Sequence, residues 1–291
     1  MKKTIILTDG IIKKYICSLR EQERSENTVK SYNRELLSLQ LYLDDKPITK
    51  DKLLSYKTMI ALQYAPSTCN VSIAAINSML KYLCRPDLTL APLKIQKQIF
   101  EPEDRELTRK DYDRLIRAAN LNGQDRLSLI IQTICSTGIR VSELQYITVE
   151  AAKEGKCAVN NKGKSRIVFI PAQLQKLLKK YVVKQNITAG SIFVSRNGKP
   201  LDRSNIYHSM QRLCSTAGVK PSKVYPHNLR HLFAKTYYTQ NKDISRLADI
   251  LGHTSINTTR IYTRESGAVH ARQIEAVSYT HLRAHETCAD L

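Results

Sequence analysis

Residues 226–262 read PHNLRHLFAKTYYTQNKDISRLADILGHTSINTTRIY, and this stretch decides how the chain is understood. Pro226 suits the first position of a helix, because it lacks only an amide that the first turn leaves unpaired. His227 and Arg230 follow, three residues apart, so a helix sets them on one face, one turn apart, near a helix N-terminus that favours an anion. Asp243 to Ile250 predicts another helix with Leu247, Ile250 and Leu251 apolar. Gly252 breaks it and presents His253 at a turn, and Thr254 or Ser255 starts a new helix carrying Tyr262. Taken singly, these residues read as a surface ion pair, a capping histidine and one half-buried tyrosine among 15.

Upstream, residues 137–144 read TGIRVSEL. Gly138 allows a close backbone approach or a tight helix entry before Arg140. Val141 and Leu144 point to a core, while Arg140 and Glu143 share the other side at i, i+3. Arginine suits phosphate, because its planar fork can hold two oxygens at once. Two arginines, two histidines and a tyrosine together suggest phosphodiester chemistry.

Composition agrees with a polyanionic partner. The 291 residues hold 46 Lys and Arg against 26 Asp and Glu, a formal net charge of +20. The excess is shared: 16 basic against 10 acidic residues in 1–102, and 30 against 16 in 103–291. An apolar share of 42% is that of a folded protein. No run of eighteen apolar residues predicts a membrane span, and Ile5-Ile6-Leu7 is too short for a secretory core, so a cytoplasmic, nucleoid-associated protein is expected. The seven cysteines are scattered without CxxC spacing and fit reduced core thiols rather than a metal site.

The predicted fold is mainly α. Residues 1–95 read as a bundle of about four helices, with Ile12, Tyr15, Ile16 and Leu19 at helical spacing, a start at Ser25, and another amphipathic stretch from Ser67 to Leu83. Residues 96–106 read as a linker, within an aperiodic stretch from Ala91 to Glu106 that holds Pro92 and Pro102. Residues 107–276 read as a mostly helical α+β domain. It opens on a Thr108 cap with Asp111 in a capping-box position and is interrupted by one hairpin, Cys157–Asn160 and Ile167–Pro171. Ile192-Phe193-Val194 reads as a short extended piece. Residues 277–291 (VSYTHLRAHETCADL) lack a core face and look like a translated adapter or read-through, so His281, His285 and Cys288 enter no site argument.

Taken together, TGIRVSEL with Arg140, HNLRH with His227 and Arg230, LGH with His253, and TTRIY with Tyr262 resemble the tyrosine recombinase (phage integrase) family. The resemblance covers about residues 10–275, and its specific motifs lie in 137–262. It implies an N-terminal four-helix, SAM-like core-binding domain and a catalytic domain that together encircle DNA. It implies a site-specific recombinase that cuts and rejoins DNA through a 3′-phosphotyrosine bond to Tyr262, releasing a 5′-hydroxyl, with neither metal nor nucleotide cofactor. Arg140 and Arg230 then hold the non-bridging oxygens, and His227 and His253 bond the phosphate or move protons. A lysine on the hairpin turn protonates the leaving oxygen. In the turn Asn161–Arg166, one residue shorter than in many relatives, Lys162 aligns best and Lys164 is the alternative. Glu143 and His231 read as supports.

The implied partners are double-stranded DNA and three further copies in a homotetramer on paired sites, with room for accessory DNA-bending or directionality factors. The helix from Ser67 to Leu83 is the expected groove reader, with Asn70, Asn77 and Lys81 on its polar side. No additional arm-binding domain is expected. A topoisomerase-like nicking-closing enzyme and a DNA-binding relic are the competing readings. Neither the DNA sequence recognised nor the choice among integration, excision, inversion and resolution is legible.

Overall fold

A computed structural model describes residues 5–95, 105–161, 164–195, 197–263 and 275. The chain divides into two compact units, residues 1–97 and 98–291. Lys162 and the segment 277–291 lie outside the described residues.

In the first unit, four helices form where hydroxyl caps meet apolar periodicity: α1 (Asp9–Glu21), α2 (Glu26–Leu43), α3 (Lys50–Gln63) and α4 (Pro66–Tyr82). The side chains of Thr8, Ser25 and Thr49 each accept a bond from an amide of the first turn, satisfying a donor the helix leaves open. Helix α4 instead begins with Pro66 at its first position, one residue before the expected start. Tyr15, Leu36, Leu39, Tyr56, Ile76 and Met79 are among the side chains that fill the core.

Two of the three side chains expected on the groove-reading helix are bonded within the protein. Asn70 Nδ2 donates to the Leu93 carbonyl (3.0 Å) and its Oδ1 accepts from the Leu93 amide (2.7 Å). Asn77 treats Leu90 in the same way, at 2.8 and 2.7 Å. Both amides are therefore spent on the chain leaving α4. They fasten residues 90–93 to the helix, and Leu90 is buried there. A carboxamide held by both its nitrogen and its oxygen is turned toward the following chain rather than presented to a base edge.

The second unit runs α5 (Arg109–Leu121), α6 (Asp125–Thr137), a 3-10 helix (Val141–Tyr146), α7 (Val149–Glu154), β1 (Lys156–Asn161), β2 (Lys164–Phe169), α8 (Ala172–Lys184), α9 (Arg203–Ala217), α10 (Pro226–Asn241), α11 (Ile244–Leu251), α12 (Ile256–Thr259) and a 3-10 turn (Arg260–Thr263). The mainly helical class with one small antiparallel sheet is as expected, and so is the Thr108–Asp111 capping box. Helix α6 is the central element. It packs on α5, α8 and α10 and buries Leu129, Ile130, Ile131 and Ile134. Its buried polar groups are satisfied within the helix: Thr133 and Thr137 each donate to the carbonyl one turn earlier, and the Ser128 hydroxyl accepts from Gln132.

The hairpin pairs Lys156 with Phe169 and Asn161 with Lys164. Val159 and Val168 face the core, while Ile167 and Phe169 are exposed. The piece at 192–194 forms no named strand. It is held by the Ile192 amide on the Ile147 carbonyl (2.9 Å) and by isolated bridges at Ser191 and Val194.

Candidate functional site

The site is assembled where α6, α10 and α11 end or begin. Helix α6 stops at Gly138, whose φ of +65° is left-handed. A Cβ there would lie 2.4 Å from the Phe233 ring, so only glycine fits both the angle and the space. The turn leaves the Gly138 carbonyl pointing at α10, and Arg230 Nη1 donates to it (2.6 Å). Arg230 Nη2 donates to the Leu251 carbonyl at the end of α11 (2.7 Å) and contacts His253 Nε2 (3.1 Å). With 1% exposure, Arg230 is the largest fully buried side chain among the described residues. Burial, then the charge of Arg140, lowers its pKa to about 10, while Tyr262 and Glu143 act to raise it. It remains a cation at neutral pH.

The Arg230 contact fixes the state of His253. A guanidinium has no acceptor, so the imidazole Nε2 facing it must be the unprotonated nitrogen. Nδ1 then carries the proton and donates to Thr259 Oγ1 at 2.9 Å. Burial and the neighbouring Arg230, Arg140 and Arg166 push the His253 pKa down to about 4, which agrees with the neutral ring. At neutral pH, His253 is uncharged.

Tyr262 lies in the 3-10 turn after α12 and is 4% exposed. Its ring is flanked by two imidazoles. His253 stacks on it (centroids 5.9 Å apart, 13° between planes), and His231 meets it edge to face at 4.5 Å and 70°. His227 is exposed at the start of α10 and contacts His231 at 4.9 Å. Desolvation, then His227 and Arg230, brings His231 down to about 4. Desolvation together with Arg230, Arg140 and Arg203 holds His227 below its ordinary value. Asn228, between the two motif residues, anchors the helix start by donating to the carbonyls of Arg105 (2.8 Å) and Lys223 (2.7 Å).

Arg140 caps the 3-10 helix, with its side chain 34% exposed. Its amide donates to Glu143 Oε2 (2.8 Å) and its Nη1 to Oε1 (2.9 Å). The expected i, i+3 pair is therefore present, but Glu143 is buried rather than on the surface, at 1% exposure. Burial acts to raise the Glu143 pKa, yet hydrogen bonds from Arg166 and Arg140 outweigh it and bring the carboxyl down to about 2.

Five of the six expected site residues thus fall in one neighbourhood: Arg140, His227, Arg230, His253 and Tyr262. The sixth, Lys162, is outside the described residues, and of its alternative Lys164 only the backbone, paired with Asn161, is described. Sequence reading gave no role to Thr259, which orients His253, or to Arg166, which holds Glu143. Thr259 was visible only as the second threonine of TTRIY, and Arg166 only as one more cation in a basic turn.

The chain is similar to known proteins over both of its units. Residues 105–268 match the model of the phage integrase family, and residues 12–86 match that of the phage integrase N-terminal SAM-like domain. The chain is 29% identical over 272 residues to the tyrosine recombinase XerD of Oceanobacillus iheyensis, covering 85% of this chain and 91% of that protein. It is 28% identical over 267 residues to the tyrosine recombinase XerA of Pyrococcus furiosus, covering 89% and 90%. In fold it is similar to a lambda integrase tetramer bound to a Holliday junction, with a TM-score of 0.73 at 17% identity, over 90% of this chain and 78% of that one. With both of its units matched, the chain belongs to the phage integrase family and is a two-domain tyrosine recombinase, an enzyme that cuts and rejoins DNA.

Proposed function

We propose that this chain recombines DNA at specific sites, with Tyr262 as the nucleophile and Arg140, Arg230, His227 and His253 as the groups that hold and neutralise the scissile phosphate. The observation that carries the reading is the position of Arg230, which is bonded at once to the Gly138 turn, the end of α11 and His253. A cation fixed before substrate arrives costs no reorganisation when charge develops on the phosphate oxygens. Arg140, one third exposed, is the partner arginine a phosphate can reach. Neutral His253 lies against the Tyr262 ring with its Nε2 on Arg230, and it can take the phenol's proton once that contact opens.

In the reaction, the Tyr262 oxygen bonds to phosphorus and the bond to the 5′-oxygen breaks. The leaving oxygen takes a proton, in our assignment from Lys162. The 5′-hydroxyl of a partner strand then attacks the phosphotyrosine and restores the phenol. The linkage conserves the bond energy, so we assign the reaction no cofactor. The net charge of +20 supports a DNA partner. We infer assembly as a homotetramer on paired sites, as in the lambda integrase structure whose fold this chain shares. We assign the core-binding role to residues 1–95 and the catalytic role to 107–276.

The test is covalent capture on a nicked suicide duplex carrying a site selected by binding, in EDTA. Wild type is expected to form a protein–DNA adduct and Tyr262→Phe none. Wild type that binds this site without forming an adduct overturns the proposal in favour of a DNA-binding relic.

A further inference from the structure

We propose that Arg166 is a positioning residue for strand cleavage: its guanidinium fixes the Glu143 carboxylate, and through it Arg140, relative to the turn that carries His253. The inference rests on the recombinase reading above and adds to it a residue without contact to substrate.

Three segments distant in sequence meet at this side chain. Arg166 lies on β2, just past the hairpin turn. Its Nη1 donates to Glu143 Oε1 (3.0 Å) and its Nη2 to Glu143 Oε2 (2.7 Å), a two-pronged contact that fixes the plane of the carboxylate. Each carboxylate oxygen also accepts one bond from Arg140, from the side chain at Oε1 and the amide at Oε2. The plane set by Arg166 is therefore the plane from which Arg140 is held. The third prong, Nε, donates to the Ile250 carbonyl in the last turn of α11 (3.2 Å).

Gly252 makes this path possible. Its φ is +65°, and a Cβ there would stand 2.8 Å from Arg166 Cδ and 3.1 Å from Nη1. The glycine of LGH thus serves both the turn before His253 and the passage of the Arg166 side chain. Arg166 is 12% exposed and Glu143 2%, so the contact is largely shielded from water, whereas Arg140 is 34% exposed. Here the inner arginine orients the carboxylate and the outer one is left within reach of a ligand.

Removing Arg166 leaves Glu143 buried with one arginine. The groups around it include Arg140 at the cap of the 3-10 helix, the Cys157 thiol on β1 and Arg230 on α10, and His253 faces Arg166 from the α11 turn, so its titration is followed by NMR in each variant. With its strongest partner gone, burial drives the carboxyl to take up a proton at higher pH. Arg140 then loses its anchor as the pH falls.

The experiment compares wild type, Arg166→Lys, Arg166→Ala, Glu143→Gln and the double variant Arg166→Ala/Glu143→Gln. It measures the rate of adduct formation at saturating protein between pH 5 and 8, alongside DNA affinity and the thermal transition. Lysine is a compact charge that cannot span two oxygens and a carbonyl. Both Arg166 variants are therefore expected to keep their DNA affinity and lose about 10- to 100-fold in rate, the scale of a misplaced reacting group. The ratio of variant to wild-type rate is expected to fall further toward pH 5 for the Arg166 variants and to stay flat for Glu143→Gln. The double variant should be no slower than the slower single one. Wild-type rate in Arg166→Lys, a pH-independent ratio, or additive losses would each overturn the proposal.

Wild type that forms no adduct sinks the recombinase reading instead. The placement itself is then read from the Nε–H resonance of Arg140, expected to shift in Arg166→Ala, and an unchanged resonance overturns the proposal.

Discussion

Replacing Glu143 with alanine tests the scaffold of the site through its stability. The carboxylate is 2% exposed and makes four hydrogen bonds to two arginines. Removing one partner of a buried ion pair costs about 3–5 kcal/mol, because the charge left behind has no compensation. Proton linkage supplies a second figure. The Glu143 pKa stands at about 2 against an ordinary 4.5, a difference equivalent to about 3 kcal/mol. Since the folded value is the lower one, this stabilisation is complete above the unfolded pKa and is lost as the pH falls toward 2. The two figures agree. Glu143→Ala should therefore destabilise the second unit by about 3 kcal/mol at pH 7, and by roughly half that or less at pH 3. Urea unfolding followed by circular dichroism gives the free energies. Amide exchange in α6 and α10 assigns the transition to this unit, which matters because two units need not unfold together. A loss below about 1 kcal/mol at pH 7, or a loss that does not change with pH, would refute a buried and doubly paired carboxylate.

Three further outcomes follow from the same geometry. Gly138→Ala forces a Cβ against Phe233 at a left-handed angle and should destabilise the second unit by about 1–3 kcal/mol in urea unfolding while slowing adduct formation, because the Arg230 acceptor moves. His231 and His253 have folded pKa values of about 4, below the ordinary histidine value, so both should be neutral at pH 7 and the stability they lend should drain away as the pH falls from about 6.5 to about 4. A proton NMR titration of their ring carbons checks this, and midpoints at or above 6.5 would contradict it. Asn77→Ala leaves the buried Leu90 backbone without its two side-chain bonds and should cost about 1–3 kcal/mol, seen as faster amide exchange in α4.

Much of this architecture was legible because local chemistry and tertiary structure agree. Thr108 with Asp111, Ser25, and Gly252 mark helix ends by capping rules and do so in the fold. The motif residues were found through resemblance, since one arginine or one tyrosine among 15 carries no signal alone. Asn70 and Asn77 were misjudged because their partners, the backbones of Leu93 and Leu90, belong to a stretch without periodicity. A polar residue on a helix looks solvated when the segment covering it has no pattern. Arg166 escaped notice for a related reason. Its partner Glu143 is 23 residues away and Ile250 is 84, and no local rule links β2 to either. Tyr262 as a buried ring between two imidazoles was equally invisible, because stacking across α10 and the α11 turn is a property of packing.

The most direct test of the central claim is the identity of the covalent linkage. Adduct trapped on a nicked duplex is digested with protease and nuclease, and the nucleotide-bearing peptide is sequenced by mass spectrometry. The account predicts a single modified residue, Tyr262, joined to a 3′-phosphate, with a free 5′-hydroxyl on the released strand. Attachment to any other tyrosine, or to a 5′-phosphate, would contradict it.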